Sequence, residues 1–256
     1  MSSFDKQEYV HDVFSAISSS YDLMNDLESL GLHRIWKARL VKELSKASPR
    51  SILDIACGTG DIAIALAGAN PKAQVTGLDF NENMLEVARK RAAQERPVSF
   101  VLETNAVSQK AQAVPVNNLH LVVGNAMKLP FEDESFDAVS ISFGLRNMPD
   151  YAVVLGEIYR VLKPGGSFRC LEASYPTNPL VKPPFKLYFK HWLPFLGKLI
   201  VNSEKEYAWL NTSTEAFLSK EQLASLMQQK GFTQVGYSSY LLGAAALHRG
   251  SKQTKA

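Results

Sequence analysis

The segment SILDIACGTGDIAIALAGA, residues 51–69, constrains the fold more than any other part of the chain. A short, mostly apolar run, SILDIA, ends at a glycine turn, and a segment of helical period follows. An apolar run of that length reads as a strand buried on both faces, the kind found in parallel sheets covered by helices. The alternation repeats downstream. QVTGLDF (74–80), NLHLVVG (118–124), FDAVSISF (136–143) and GGSFRCLEAS (165–174) read as further strands, with helices over NMLEVARKRAAQ and from Tyr151 to Leu162. Asn81 is placed to cap the first of these helices, since its side-chain oxygen can accept an orphan amide proton. Lys163-Pro164-Gly165-Gly166 stops the second. These features predict one α/β domain with a largely parallel sheet.

Composition narrows the function classes. Hydrophobic residues make up 46% and charged residues 21% of the 256, enough for a full buried core. Lys and Arg number 28 against 25 Asp and Glu, a net +3 that is too balanced for a protein whose main task is wrapping nucleic acid. No run reaches the roughly 18 uncharged apolar residues of a membrane-spanning helix. The start, MSSFDKQEYVHD, has neither the basic nor the apolar region of a signal peptide, so a cytoplasmic location is expected. Cys57 and Cys170 form no CxxC or Cys/His cluster and read as reduced thiols, with no metal site expected.

Two segments flank the alternating core. Residues 1–48 read as a helical cap, with Val13, Ile17, Leu23, Leu27 and Leu30 at helical spacing; within it His33-Arg34 beside Trp36 and Lys37 reads as a solvated helix face. Residues 175–218 read as a helical insert, in which Lys182, Lys186, Lys190 and Lys198 alternate with Phe185, Tyr188, Phe189, Trp192 and Phe195. That pattern suits an anionic membrane surface, and equally an amphipathic helix packed on the domain. The stretch from Arg96 to His120 fits no element clearly and reads as a surface loop or hairpin.

Gly58 and Gly60 stand between strand and helix, where backbone N–H groups and the helix dipole receive a ligand's negative group. Asp79 follows about 20 residues on, at the end of the next strand, where an acid binds ribose hydroxyls. On spacing alone this is also a nicotinamide dinucleotide fingerprint. Asp54 lies within an apolar strand, where a carboxylate is costly unless paired. It either orders the loop amides or faces an amino group on the ligand, as S-adenosylmethionine would offer.

Gly124-Asn125-Ala126, Pro130-Phe131, Phe136-Asp137 and VLKPGG, together with the loop, resemble the class I methyltransferases that use S-adenosyl-L-methionine. VFSAISSSYDLMNDLESLGLHRIWK, ISFGLRNMPDY, YRVLKPGGSFRCLEASYP, EYAWLNTSTEAF and AALHRG are similar to the quinone-biosynthesis C-methyltransferases, nearest to the branch that acts on demethylmenaquinone. The resemblance implies a Rossmann-like, doubly wound, mostly parallel sheet of seven strands. Residues 49–174 are then the cofactor core and 219–256 a C-terminal helix and strands. It also implies cofactor contacts from Thr59, Asp79, Asn125, Ala126 and Ser142, with Gly58 and Gly60 shaping the loop; Asp54 joins this set as the acid within the first strand. The implied reaction is C-methylation of a prenylated naphthoquinol, with the ubiquinone-branch benzoquinol as the alternative substrate. A peripheral membrane contact and a homodimer are the partners expected beside it.

That chemistry needs the hydroxyl next to the ring carbon to ionise, and its pKa resembles that of tyrosine, about 10. Arg146, after the fourth strand in FGLRN, is the expected catalytic group: its fixed charge can meet the phenolate or act through a water, unless it is paired with Asp150 or Glu172. Asn147 beside it and Tyr21 in the cap are the other catalytic candidates. Asp22, Asn25 and Asp26 share neighbouring helical faces with Tyr21 and are the expected substrate contacts.

Overall fold

The computed structural model describes residues 31–93, 117–176, 182–188 and 212–254, together with Asp26, Ser29, Pro179 and Leu180. Helix α1 (His33–Ser45) precedes β1 (Ser51–Ile55), α2 (Asp61–Ala69), β2 (Gln74–Asp79), α3 (Glu82–Ala93), β3 (Leu119–Val123) and β4 (Phe136–Ser142). A 3-10 turn (Leu145–Asn147), α4 (Tyr151–Val161), β5 (Leu162–Ala173), α5 (Lys182–Leu187), α6 (Lys220–Gln229), β6 (Thr233–Tyr240) and β7 (Ala245–Ser251) complete it. The strands form one seven-stranded sheet in the order β3-β2-β1-β4-β5-β7-β6. β7 runs antiparallel to both of its neighbours and every other pairing is parallel.

The sheet alternates its buried residues between two cores. Leu53 and Ile55 of β1 join Val139, Ile141, Phe168 and the α4 side chains Leu155 and Ile158 on one face, with Leu223 and Met227 of α6. Ile52, Val75, Ala138 and Leu171 meet Leu40 and Leu44 of α1 and Leu66 of α2 on the other. Asp54 is two residues from Ile52 in β1 and therefore points to the second face. Asn81 caps α3 as expected, accepting from Met84 N at 3.3 Å. Asp150 caps α4 through Ala152 N and Val153 N.

Three sequence-based expectations change. Helix α4 ends at Val161, and Leu162 is already extended as the first residue of β5. The residue before a proline disfavours helix, so the Lys163-Pro164 step ends α4 early and the two glycines fall inside an irregular strand start. Leu119 and His120, the end of the stretch from Arg96 to His120, belong to β3, while residues 96–116 lie outside the described residues. The third change is in α1: His33, Trp36, Lys37, Leu40, Val41 and Leu44 form its buried face, so His33 and Lys37 are not solvated. Positions 33, 36, 37, 40, 41 and 44 follow the 3.6-residue period, and the basic residues among them hid it. Cys57 and Cys170 are buried free thiols. Among the described residues no helix is long and apolar enough to cross a membrane.

Candidate active site

β1 pairs with β2 on one edge and β4 on the other, so the chain order reverses there and a crevice opens beyond the carboxyl ends of the strands. The main cavity, about 720 Å³ with its open mouth, fills that crevice. Gly58, Asp79, Asn125, Ala126, Ser142 and Asn147, all expected site residues, line it. A smaller cavity of about 340 Å³ shares Ala56, Gly58, Ser142 and Phe143 with it and is lined by Lys37, Asp54, Thr59 and Asp61 as well. Seven of the eight expected cofactor residues thus face two contiguous spaces.

Gly60 is the eighth and acts through backbone shape. Its φ of +85° starts α2 from the left-handed region, and a Cβ there would stand 2.9 Å from the Ala88 Cβ. Gly58 lies at φ +55° and donates its N–H to Asp79 Oδ2 at 2.8 Å. Asp79 Oδ1 accepts from Asn81 N at 2.9 Å. Burial pushes the Asp79 carboxyl up, and the Asn81, Gly58 and Phe80 amides pull it back. A carboxylate has about four acceptor sites, so Asp79 can hold the loop and still receive vicinal hydroxyls. Asn125 also serves its own turn, Oδ1 accepting from Met127 N at 2.8 Å.

Asp54 is 2% exposed and accepts from Ser140 Oγ at 2.7 Å, its register partner across β4. Desolvation outweighs that bond and raises its carboxyl from 3.8 to about 7. Ser142 Oγ, fully buried on the wall shared by the two cavities, has no hydrogen-bond partner among the described residues. A buried hydroxyl left in this way costs about 1–3 kcal/mol until a ligand satisfies it. Ala56 and Phe143 sit on the same shared wall at φ +51° and +53°, strained positions for residues with a Cβ. Nothing in their residue types announces either conformation.

Arg146 takes the paired alternative. It is 3% exposed, ion-paired through Nη1 with Glu172 Oε1, and the same nitrogen donates to Phe143 O at 3.0 Å. Its own backbone N–H reaches Glu172 Oε2 at 3.2 Å. The expected bare positive charge at the cavity is therefore a buried, neutralised pair, and Arg146 does not line either space. Asn147 does, with Nδ2 donating to Phe143 O at 3.3 Å. Asp26 faces neither cavity: Arg34 holds both of its oxygens, at 3.0 and 2.6 Å. Tyr21, Asp22 and Asn25 lie outside the described residues. Burial and the neighbouring Lys37 charge lower His33 to about 4, so it is a poor base near neutrality.

Sequence reasoning missed the apolar wall of Phe80, Met84, Phe143, Met148 and Pro149, and the Lys37–Asp61–Arg91 cluster beside the glycine loop. A lysine in the apolar stripe of α1 was the available signal for the cluster.

A SAM-dependent methyltransferase from Thermotoga maritima superposes with a TM-score of 0.61 at 23% identity, over 94% of this chain and 99% of that one. The phosphoethanolamine N-methyltransferase 2 of Haemonchus contortus, solved with S-adenosylhomocysteine, gives 0.57 at 17% identity, over 84% and 53%. The fold is that of the class I S-adenosylmethionine-dependent methyltransferases, whose cofactor the buried acceptor at Asp54 and the orphan hydroxyl of Ser142 both suit. In sequence, the demethylmenaquinone methyltransferase of Staphylococcus haemolyticus is 45% identical over 97% of this chain and 95% of its own length. The model of the ubiE/COQ5 methyltransferase family matches residues 2–252, and the chain belongs to that family. The nicotinamide reading of the glycine spacing falls with it.

A cationic amino group binds the ionised form of Asp54, whose value stands near 7. Affinity for S-adenosylhomocysteine, measured by calorimetry, is expected to fall about tenfold from pH 8 to pH 6, and Asp54→Asn to be weaker and pH-independent over that range. In the free protein the native state holds this proton more tightly than the unfolded chain. The Asp54 contribution to stability therefore declines as pH rises from about 4 to 7, and the thermal shift on ligand binding grows over the upper part of that window.

Proposed function

We propose that the chain methylates the unsubstituted ring carbon of demethylmenaquinol, giving menaquinol. The observation that carries this reading is the near-full-length identity to a relative named for that activity. The apolar wall of the main cavity, facing a polar cofactor side, supports it, because a prenylated naphthoquinol is largely apolar.

Asp79 would hold the ribose hydroxyls, Asn125 and Ala126 the adenine, and Asp54 the ammonium of S-adenosylmethionine. When bound, that group supplies an electrophilic methyl on a sulfonium, which leaves as a neutral thioether. The residues of this chain align the ring carbon with it, and alignment alone is worth orders of magnitude in rate. Asn147, on the cavity wall, hydrogen-bonds the quinol oxygen as charge develops there. Arg146 is a positioning residue: paired with Glu172, it pins the 3-10 turn that presents Asn147 and Met148. Once the ring carbon has formed its bond to the methyl, it loses its proton to solvent water and the aromatic ring is restored, so that one methyl enters and one proton leaves.

The enzyme would work at a membrane surface, where a polyprenyl tail resides. Leu180 and Leu187 are 85% and 59% exposed, and Lys182 and Lys186 are exposed beside them. Basic groups near an anionic surface contribute about 1 kcal/mol each. Sedimentation with phosphatidylglycerol vesicles at low salt, reversed at high salt, is the expected result. Equal binding to neutral vesicles would remove the electrostatic part.

The direct test uses labelled S-adenosylmethionine with reduced demethylmenaquinone, its oxidised form and a demethylated benzoquinol side by side. Label entering menaquinol from the reduced naphthoquinol alone is expected. Transfer only to the benzoquinol would move the chain to the ubiquinone branch.

Arg146→Ala leaves Glu172 buried without its partner, at a cost of about 3–5 kcal/mol. Arg146→Met/Glu172→Gln removes both charges and should fold with cofactor affinity kept. Its kcat is expected to fall at least about 100-fold at pH 7, and the deficit to shrink towards pH 9 as the quinol ionises unaided. A wild-type pH profile in this double variant would show that the pair serves stability alone.

A further inference from the structure

Lys37 is an unusual residue to find inside. It is 4% exposed on the apolar face of α1, between Trp36 and Leu40, and lysines are almost never this buried unless paired. Its Nζ donates to Asp61 Oδ2 at 2.9 Å. Asp61 is already served on its other oxygen by Arg91 Nη1, also at 2.9 Å. Burial pushes the Asp61 carboxyl up, but Lys37 and Arg91 outweigh it and hold it below its ordinary value. Among the described residues, two cations therefore donate to one ionised carboxylate at the first turn of α2, where the positive end of the helix dipole also lies. Arg91 Nη1 also donates to Thr59 Oγ1 at 3.0 Å, which pins the glycine loop to α3.

Lys37 and Asp54 line the same small cavity, which shares Ala56, Gly58, Ser142 and Phe143 with the main one. In that space Asp54 can take a cation and Lys37 an anion. An α-amino acid carries both charges, and a carboxylate buried without a partner is strongly disfavoured. Asp54 alone cannot accommodate it. We infer that Lys37 binds the carboxylate of the aminobutyrate end of S-adenosylmethionine, so that Lys37 and Asp54 together recognise the zwitterion. An ammonium has three donors, so the bond to Asp61 is compatible with this second anionic partner. The site then discriminates against adenine nucleosides that lack the amino acid, and it makes α1 part of the cofactor site.

The inference rests on the cofactor assignment, and calorimetry on the full chain separates the two. Three ligands are compared: S-adenosylhomocysteine, its decarboxylated analogue and 5′-methylthioadenosine. The wild type is expected to prefer S-adenosylhomocysteine to the decarboxylated analogue by about 10- to 100-fold, the size of one charged hydrogen bond. In Lys37→Met that preference should collapse while 5′-methylthioadenosine binds as before. Equal affinity of the wild type for the first two ligands would overturn the role of Lys37 without needing any variant to fold. A preference that survives in Lys37→Met, or a parallel loss of all three ligands, would overturn it as well. Failure of the wild type to bind any of the three would instead overturn the cofactor assignment.

Discussion

β1 is hydrogen-bonded on both edges and buried on both faces, so the only direction open to a ligand is beyond its carboxyl end. The chain leaves the carboxyl ends of β1 and β4 towards opposite faces, into α2 on one and α4 on the other, and the space between them is filled by neither. Both cavities depend on that. The glycine loop supplies the floor, and the Asp79 carboxylate on β2 fixes the loop through the Gly58 amide. A side chain at Gly60 would meet Ala88 and separate α2 from α3, so the same loop also governs how the helices pack on the sheet.

Charge is distributed unevenly around this floor. At the Arg146 side a buried cation is cancelled by Glu172, whose oxygens also accept backbone N–H groups of Arg146 and Ala173. A buried pair of this kind holds a turn in place but contributes no net charge. At the Asp54 side the carboxylate is underserved, with burial outweighing the Ser140 bond. The polar cost is therefore concentrated where a cationic ligand relieves it. The Lys37, Asp61 and Arg91 cluster adjoins it, with Lys37 and Asp61 lining the same small cavity as Asp54.

Much of this was legible beforehand because it is local. Five strands, the Asn81 cap and the glycine turn follow from periodicity and from single-residue conformational preferences, which operate over a few residues. Asp54 stood out because a carboxylate in an apolar strand has no local excuse. The end of α4 was misjudged by one residue because the Lys163-Pro164 step and the pairing of β4 with β5 compete there. The buried face of α1 was hidden by its own composition: His33 and Lys37 read as solvent-facing until Ser29 and Asp61 are seen to take their polar atoms.

The sequence by itself determined the alternation of strands and helices, the loop that receives the cofactor, the family and eight of the residues that line the cavities. These rest on patterns whose physical cause lies within one element. Tertiary structure alone decided whether Arg146 would stand as a free charge or be neutralised, since Glu172 is 26 residues away and reaches it only through the pairing of β4 with β5. It alone brought Lys37 from α1 to line the same small cavity as Asp54 from β1. The strength and sign of a charge in a protein depend on which groups surround it, and those neighbours come from elements that only folding brings together.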